Sequence, residues 1–177
     1  SIDTTFVRSE LDRVGLQSAV SLGLTFDADV NTEDAAVLER GRTRLEQALA
    51  LAEGVGAKYL VGCLYSTLGK YPGPATWGAR RNAAAAVREL ATEAQRRGIS
   101  IGLEVVNRYE TNLFNTAAEA LDFLDEVGHP NVFVHLDTYH MNIEEGDLDR
   151  PVALLGDRLG YVHVGESHRG YLGSGTI

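Results

Sequence analysis

Three short apolar runs in the second half of the chain carry groups that apolar runs do not ordinarily hold. Ile101-Gly102-Leu103-Glu104-Val105-Val106-Asn107-Arg108 places Glu104 inside one. Val134-His135-Leu136-Asp137-Thr138-Tyr139-His140 places Asp137 at the end of the next, and Tyr161-Val162-His163-Val164-Gly165-Glu166 places His163 at the end of the third. If these runs are successive parallel strands, a Glu, an Asp and a His meet at one mouth, the carboxyl-end face where such folds keep their functional groups. Ionised carboxylates buried there are costly unless paired or bound to metal. A divalent cation removes that cost, and a mixed carboxylate and imidazole set suits Mn²⁺, Mg²⁺, Co²⁺ or Fe²⁺ better than a thiolate-type zinc site. Taken singly, each residue also has a structural reading: Glu104 paired with an arginine, Asp137 capping a turn, His163 hydrogen-bonded in the core.

The elements that must position these groups alternate along the chain. Residues 5–14 read as a helix closed by Gly15, and 16–22 as a strand. Thr32-Glu33-Asp34 offers a cap with acids in the first turn of a helix that runs to Glu53 with Val37, Leu45, Leu49 and Ala52 on one face. Residues 58–65 form the next strand, a Gly- and Pro-rich loop follows at 69–73, and an Ala-rich helix spans about 76–97. Then come a strand at 99–106, a helix opened by Asn115 or Thr116 with Glu119 placed for a capping box, a strand at 132–136, a helix at 149–157 and a strand at 160–164. Five strands, apolar on both faces and alternating with helices, predict a buried parallel α/β sheet with right-handed crossovers. That rhythm fits either a doubly wound sheet or a (β/α)8 barrel. For a barrel, five strands and 177 residues fall short of eight and of the usual ~250 residues.

Three stretches together resemble one group of enzymes. Leu103-Glu104-Val105-Val106-Asn107-Arg108-Tyr109-Glu110, then Leu136-Asp137-Thr138-Tyr139-His140-Met141-Asn142-Ile143-Glu144-Glu145, then His163-Val164-Gly165-Glu166-Ser167-His168-Arg169 are similar to the D-tagatose 3-epimerase and D-psicose (allulose) 3-epimerase family, on a xylose isomerase-like TIM barrel. The resemblance implies an incomplete (β/α)8 barrel in which the strands present are the third to the seventh. It implies a single partial domain over residues 1–177 and a longer biological chain. Glu104 is implied as a metal ligand and as the catalytic acid/base at C3 of a free ketose, with Asp137 and His163 as further metal ligands. Glu110, His140 and Arg169 are implied as substrate-binding groups. The implied cofactor is a divalent metal, Mn²⁺ first and Co²⁺ or Mg²⁺ as alternatives, and the implied assembly is a homo-oligomer, dimer or tetramer. A fourth ligand, a Glu that is also the second catalytic base, is implied on an eighth strand beyond Ile177. Other reactions on the same scaffold remain open, namely aldose–ketose isomerisation, hydroxypyruvate-type isomerisation and inosose dehydration, as does a non-catalytic metal- or sugar-binding role. The joint presence of Glu110, His140 and Arg169 favours ketose 3-epimerisation.

Composition narrows the partners. With 16 basic against 25 acidic side chains, a net charge of −9 and no basic run, the chain is a poor match for nucleic acid or an anionic membrane. No apolar stretch approaches the roughly 20 residues that span a bilayer, and the first residues lack the pattern of a signal peptide. The single cysteine, Cys63, reads as a small buried hydrophobe, and one cysteine forms no internal disulfide, which points to a cytoplasmic setting. Gly54-Val55-Gly56 precedes a strand and reads as a helix stop, and Gly173-Ser174-Gly175 has no helix after it to make a phosphate cradle. Tyr65, Tyr71, Trp77 and Phe114 read either as a sugar-pocket wall or as packing. The pairs Arg80-Arg81 and Arg96-Arg97 read as solvated helix faces, and Glu166 as a substrate contact or a partner of Arg169.

Overall fold

The first four helices begin at side-chain caps that the sequence supplies. Asp3 accepts from the Phe6 amide ahead of α1 (Thr4–Val14), and Asp34 accepts from the Ala36 and Val37 amides ahead of α2 (Ala35–Gly54). Thr76 caps α3 (Trp77–Arg96), while Thr116 and Glu119 form a reciprocal capping box at α4 (Ala117–Val127). The acids expected in the first turn of α2 are absent, because Asp34 is itself the cap and the turn opens Ala35-Ala36-Val37. Gly15 and Gly128 end α1 and α4 in the left-handed conformation that glycine adopts without strain.

The computed structural model describes residues 2–177. Between the helices lie β1 (Ala19–Leu24), β2 (Tyr59–Thr67), β3 (Ser100–Glu104), β4 (Val132–Asp137) and β5 (Leu159–His163). A helix that the sequence reading did not place, α5 (Thr138–Glu144), follows β4 directly, and α6 (Asp149–Leu155) with a 3-10 turn (Gly156–Arg158) leads into β5. Neighbouring strands pair in parallel throughout, and their order in the sheet is their order in the chain. A doubly wound sheet reverses its order at a switch point. This sheet does not, so the five strands are successive βα units of a barrel.

The register decides which side chains share a face. Leu60, Ile101 and Val132 lie side by side, as do Leu103 and Val134, and with Leu136 they point to the helices. They are buried there with Leu45, Leu49, Val87, Leu90, Phe123 and Leu124. Each such side chain contributes roughly 1.5–3 kcal/mol. The opposite, barrel-interior face carries Val61 beside Gly102 beside Phe133, then Glu104 beside His135 beside Tyr161, then Asp137 beside His163. Tyr59 and Phe133 meet edge-to-face at 6.0 Å, and Tyr59 and Tyr161 meet at 6.0 Å, which makes an aromatic floor below the polar residues.

Tyr65 and Phe114 stack at 4.0 Å inside the core, so neither lines a pocket, and Trp77 stands exposed at the start of α3. Cys63 is buried as expected, and burial pushes its thiol up to about 12. The arginine pairs are only half solvated. Arg81 and Arg96 face solvent, but Arg80 pairs with Glu126 at 2.7 Å and Arg97 bridges Glu93 and Glu53.

The floor depends on glycine for space. A Cβ on Gly102 would sit 2.5 Å from Phe133 Cε2 and 2.8 Å from Val61 Cγ1, and Gly160 abuts the same ring from the other side. Gly102→Ala is expected to destabilise the protein by about 1–3 kcal/mol through overpacking. Gly146→Ala, in open space, is expected to leave stability unchanged. Urea unfolding of the two variants checks the pair, and equal midpoints would refute the packing argument.

Candidate functional site: a carboxylate–imidazole cluster at the sheet's carboxyl ends

Glu104, Asp137 and His163 are the last residues of β3, β4 and β5, and all three lie on the barrel-interior face. His163 Nδ1 lies 3.5 Å from Glu104 Oε1 and 3.7 Å from Asp137 Oδ2. With both carboxylates, it is His140 that completes a trio whose ligand atoms, one from each residue, lie within 4.8 Å of one another. The β3 end is held from both sides: Tyr65 Oη donates to the Glu104 carbonyl at 2.7 Å, and the Val105 amide donates to the His135 carbonyl at 2.9 Å. Burial raises the Glu104 carboxyl above its ordinary value, the positive charge of His163 opposes that rise, and the Asp137 charge adds to it. Asp137 is also a helix cap. Its Oδ1 accepts from the Tyr139 amide at 2.8 Å, which leaves Oδ2 facing His163.

The other three predicted site residues surround this cluster. His140, on α5, lies with Nε2 3.9 Å from Glu104 Oε1 and 3.8 Å from Glu110 Oε2. Its Nδ1 faces the Asn107 backbone N–H at 3.1 Å, and because an amide only donates, Nδ1 is the acceptor and Nε2 carries the proton. That tautomer presents an N–H to the mouth and leaves no lone pair there for an ion. Arg169 Nη2 sits 3.4 Å from Glu110 Oε1, and its guanidinium lies over the Tyr139 ring at 4.1 Å. Arg169 is the one non-glycine residue with positive φ among the described residues, at 59°.

The loops that carry these groups are clamped. Glu144, with 3% side-chain exposure, takes Arg108 Nη2 at 2.6 Å and the Arg108 amide at 2.7 Å, which ties α5 to the segment bearing Asn107 and Glu110. Glu145 accepts from the first amide of α4. Glu166 neither faces the cluster as a free carboxylate nor pairs with Arg169. It is buried and accepts from the Gly173 and Ile177 amides, and those backbone bonds hold its carboxyl below the usual range.

One member of the cluster escaped the sequence reading. His135 lies two residues before Asp137 and so on the same face of β4. It is fully buried, edge-on to His163 with ring centroids 4.2 Å apart, and its Nδ1 is 3.9 Å from Glu104 Oε2. Neither ring nitrogen has a hydrogen-bond partner. Its parity with Asp137 was the available signal. A donor set of two carboxylates and imidazoles, one of them buried and unpartnered, fits a divalent cation.

A sequential parallel barrel sheet with such a cluster at its carboxyl ends defines a TIM-barrel protein with a candidate metal centre. The profile of the xylose isomerase-like TIM barrel family matches residues 5–177, and the chain belongs to that family. It is 51% identical over 99% of its length to L-ribulose 3-epimerase of Methylomonas sp. (strain DH-1), and 46% identical over all of it to ketose 3-epimerase of Arthrobacter globiformis. These alignments span 62% and 61% of the two relatives, so the chain corresponds to about three fifths of their length. The crystal structure of Methylomonas sp. D-allulose 3-epimerase in complex with D-allulose superposes with a TM-score of 0.97 at 50% identity, covering 99% of this chain and 61% of that one.

Burial, followed by the charges of His163 and His140, pushes the His135 imidazole down to about 3 from an ordinary 6.5. The unfolded chain therefore binds the proton first, so this residue's contribution to stability is complete above pH 6.5 and is lost as pH falls toward 3. In metal-free protein, wild type is expected to lose stability across that window faster than His135→Leu, by up to about 1.4 kcal/mol per pH unit. Parallel stability–pH curves for the two proteins would show that His135 is not a buried neutral group.

Proposed function

We propose that this chain forms part of a metal-dependent ketose 3-epimerase. In this reading Glu104, Asp137 and His163 hold the cation, Glu104 moves the C3 proton, and Glu110, His140 and Arg169 bind the sugar. The observation that carries the reading is the approach of Glu104, Asp137 and His163 from three successive strand ends, with His163 Nδ1 within 3.7 Å of both carboxylates. Mn²⁺ is the preferred ion for two carboxylates and one imidazole, with Co²⁺ or Mg²⁺ as substitutes. The cation, when bound, supplies Lewis-acid polarisation of the C2 carbonyl and stabilises negative charge developing at O2.

The chain's own groups divide the remaining work. Inverting C3 requires removal of the proton α to the carbonyl and its return to the opposite face. Glu104 suits one of those transfers, since burial raises its proton affinity toward the range of a working base. The Nε2–H of His140 and the guanidinium of Arg169 present donors to the substrate's oxygens near the carbonyl. Glu110, 3.4 Å from Arg169, presents an acceptor for a hydroxyl. The opposite face needs a second acid/base, which the resemblance assigns to a Glu outside residues 1–177. The substrate in this reading is a free ketose, and the resemblance implies a homo-oligomer, dimer or tetramer. A cytoplasmic setting is supported by the lone buried cysteine, and no helix among the described residues is long and apolar enough to cross a membrane.

The test is to incubate the whole protein carrying this chain with several ketohexoses and Mn²⁺ and to resolve C3 epimers by chromatography. Glu104→Gln is expected to lower solvent-deuterium incorporation at C3 by about 10²–10⁴-fold or more. Exchange that persists undiminished in this variant would remove Glu104 from the proton transfer.

A further inference from the structure

Two overlapping donor sets share Glu104. The outer one, on the reading above, is Glu104 and Asp137 with His163, whose Nδ1 lies 3.5 Å and 3.7 Å from the two carboxylates. The second is Glu104, His135 and His163, which bring one ligand atom each to within 4.8 Å of one another. His135 lies deeper than Asp137, fully buried beside the aromatic floor, and is 5.0 Å from the Tyr161 ring. Its two ring nitrogens have no hydrogen-bond partner, an unfavourable condition for a buried polar atom. A tetrahedral ion with bonds of about 2.0–2.2 Å sets its donor atoms roughly 3.4 Å apart. His163 Nδ1 lies 3.5 Å from Glu104 Oε1, near that spacing, and His135 Nδ1 lies 3.9 Å from the other oxygen, Oε2, so the Glu104 carboxylate would face a shared ion with both oxygens.

We propose that Glu104, His135 and His163 form a second, deeper cation position that takes late first-row ions such as Zn²⁺, in competition with the outer Glu104–Asp137–His163 position. Neutral imidazoles favour Zn²⁺ and its neighbours, whereas carboxylate oxygens suit Mn²⁺ and Mg²⁺, so the nitrogen-rich set and the oxygen-rich set differ in preference. Glu104 and His163 belong to both, so an ion in the deep position excludes one in the outer position. The inference rests on the reading of Glu104 and His163 as ligands. Its consequence is that Zn²⁺ withdraws Glu104 from proton transfer at C3.

The test titrates metal-free whole protein with Zn²⁺ and with Mn²⁺ against a competing chelator dye, using wild type, His135→Leu and Asp137→Asn. His135→Leu is expected to weaken Zn²⁺ binding at least about tenfold while Mn²⁺ affinity stays within about threefold, and Asp137→Asn is expected to do the reverse. Equal effects of His135→Leu on both ions, or no effect on Zn²⁺, overturns the proposal. Electron paramagnetic resonance of Cu²⁺ bound to wild type gives an answer independent of any variant's folding: coupling to two imidazole nitrogens supports the deep position, and coupling to one overturns it. If Zn²⁺ binding depends on His135 while wild type binds no Mn²⁺, the deep position stands and the epimerase reading falls.

Discussion

The constraint on which this site depends is the cost of holding two carboxylates together out of water. Glu104 and Asp137 end neighbouring strands on the same face, and neither meets an arginine or lysine there. What faces them is imidazole: His163 lies within 3.7 Å of both, and His140 and His135 lie 3.9 Å from Glu104. These imidazoles offset the charge only in part: burial, with the Asp137 charge adding to it, still raises the proton affinity of Glu104. A protein optimised for stability alone would replace such a pair with apolar residues. Keeping the pair makes physical sense when a divalent ion supplies the positive charge, and that requirement connects the fold to the proposed chemistry.

The surrounding structure limits how each group can respond. Asp137 is held by its own helix cap, Glu104 by the two backbone bonds at the end of β3, and His140 by the amide that fixes its tautomer. The Arg108–Glu144 clamp joins the segments that carry Glu110 and His140, and Thr138 exchanges two hydrogen bonds with Gly165 across the next gap. Polar groups placed on strand ends and braced in this way are preorganised, which would lower the reorganisation cost of the proposed chemistry.

Much of this was legible in sequence because long, strongly patterned elements leave marks. The Ala-rich face of α3, the Thr116–Glu119 capping box and the Gly15 stop were all read where the structure has them. Strand ends were less legible. β1 was expected at 16–22 and lies at Ala19–Leu24, because Leu16 follows a left-handed glycine and its amide closes α1 instead. α5 was missed since its seven residues bury only His140 and Met141, too short a face for periodicity to register, and its cap is the same Asp137 that had been read as a ligand. The choice between barrel and doubly wound sheet needed the strand order, which pairing decides and composition does not. His135 was passed over for a different reason. Inside an apolar run, a histidine reads as core until the register shows that it shares a face with Asp137 and a level with Glu104.

Asp137 shows why a structural role and the proposed chemical one need not compete. Capping and ligation were treated as competing explanations, yet a carboxylate has two oxygens: one caps α5, and the other is left for the proposed ligation. Oδ1 takes the amide of Tyr139 and so fixes the start of α5, the element that delivers His140; Oδ2 turns toward His163. Glu104 likewise turns its two oxygens in different directions, Oε1 toward His163 and Oε2 toward His135, though without such a hydrogen bond. A carboxylate pinned through one oxygen presents the other in a fixed direction, so the local structural role sets the direction of the chemical one. For the same reason, a substitution at Asp137 would disturb the ligand set and the helix carrying His140 together, and its effects on metal and on sugar binding would not separate cleanly.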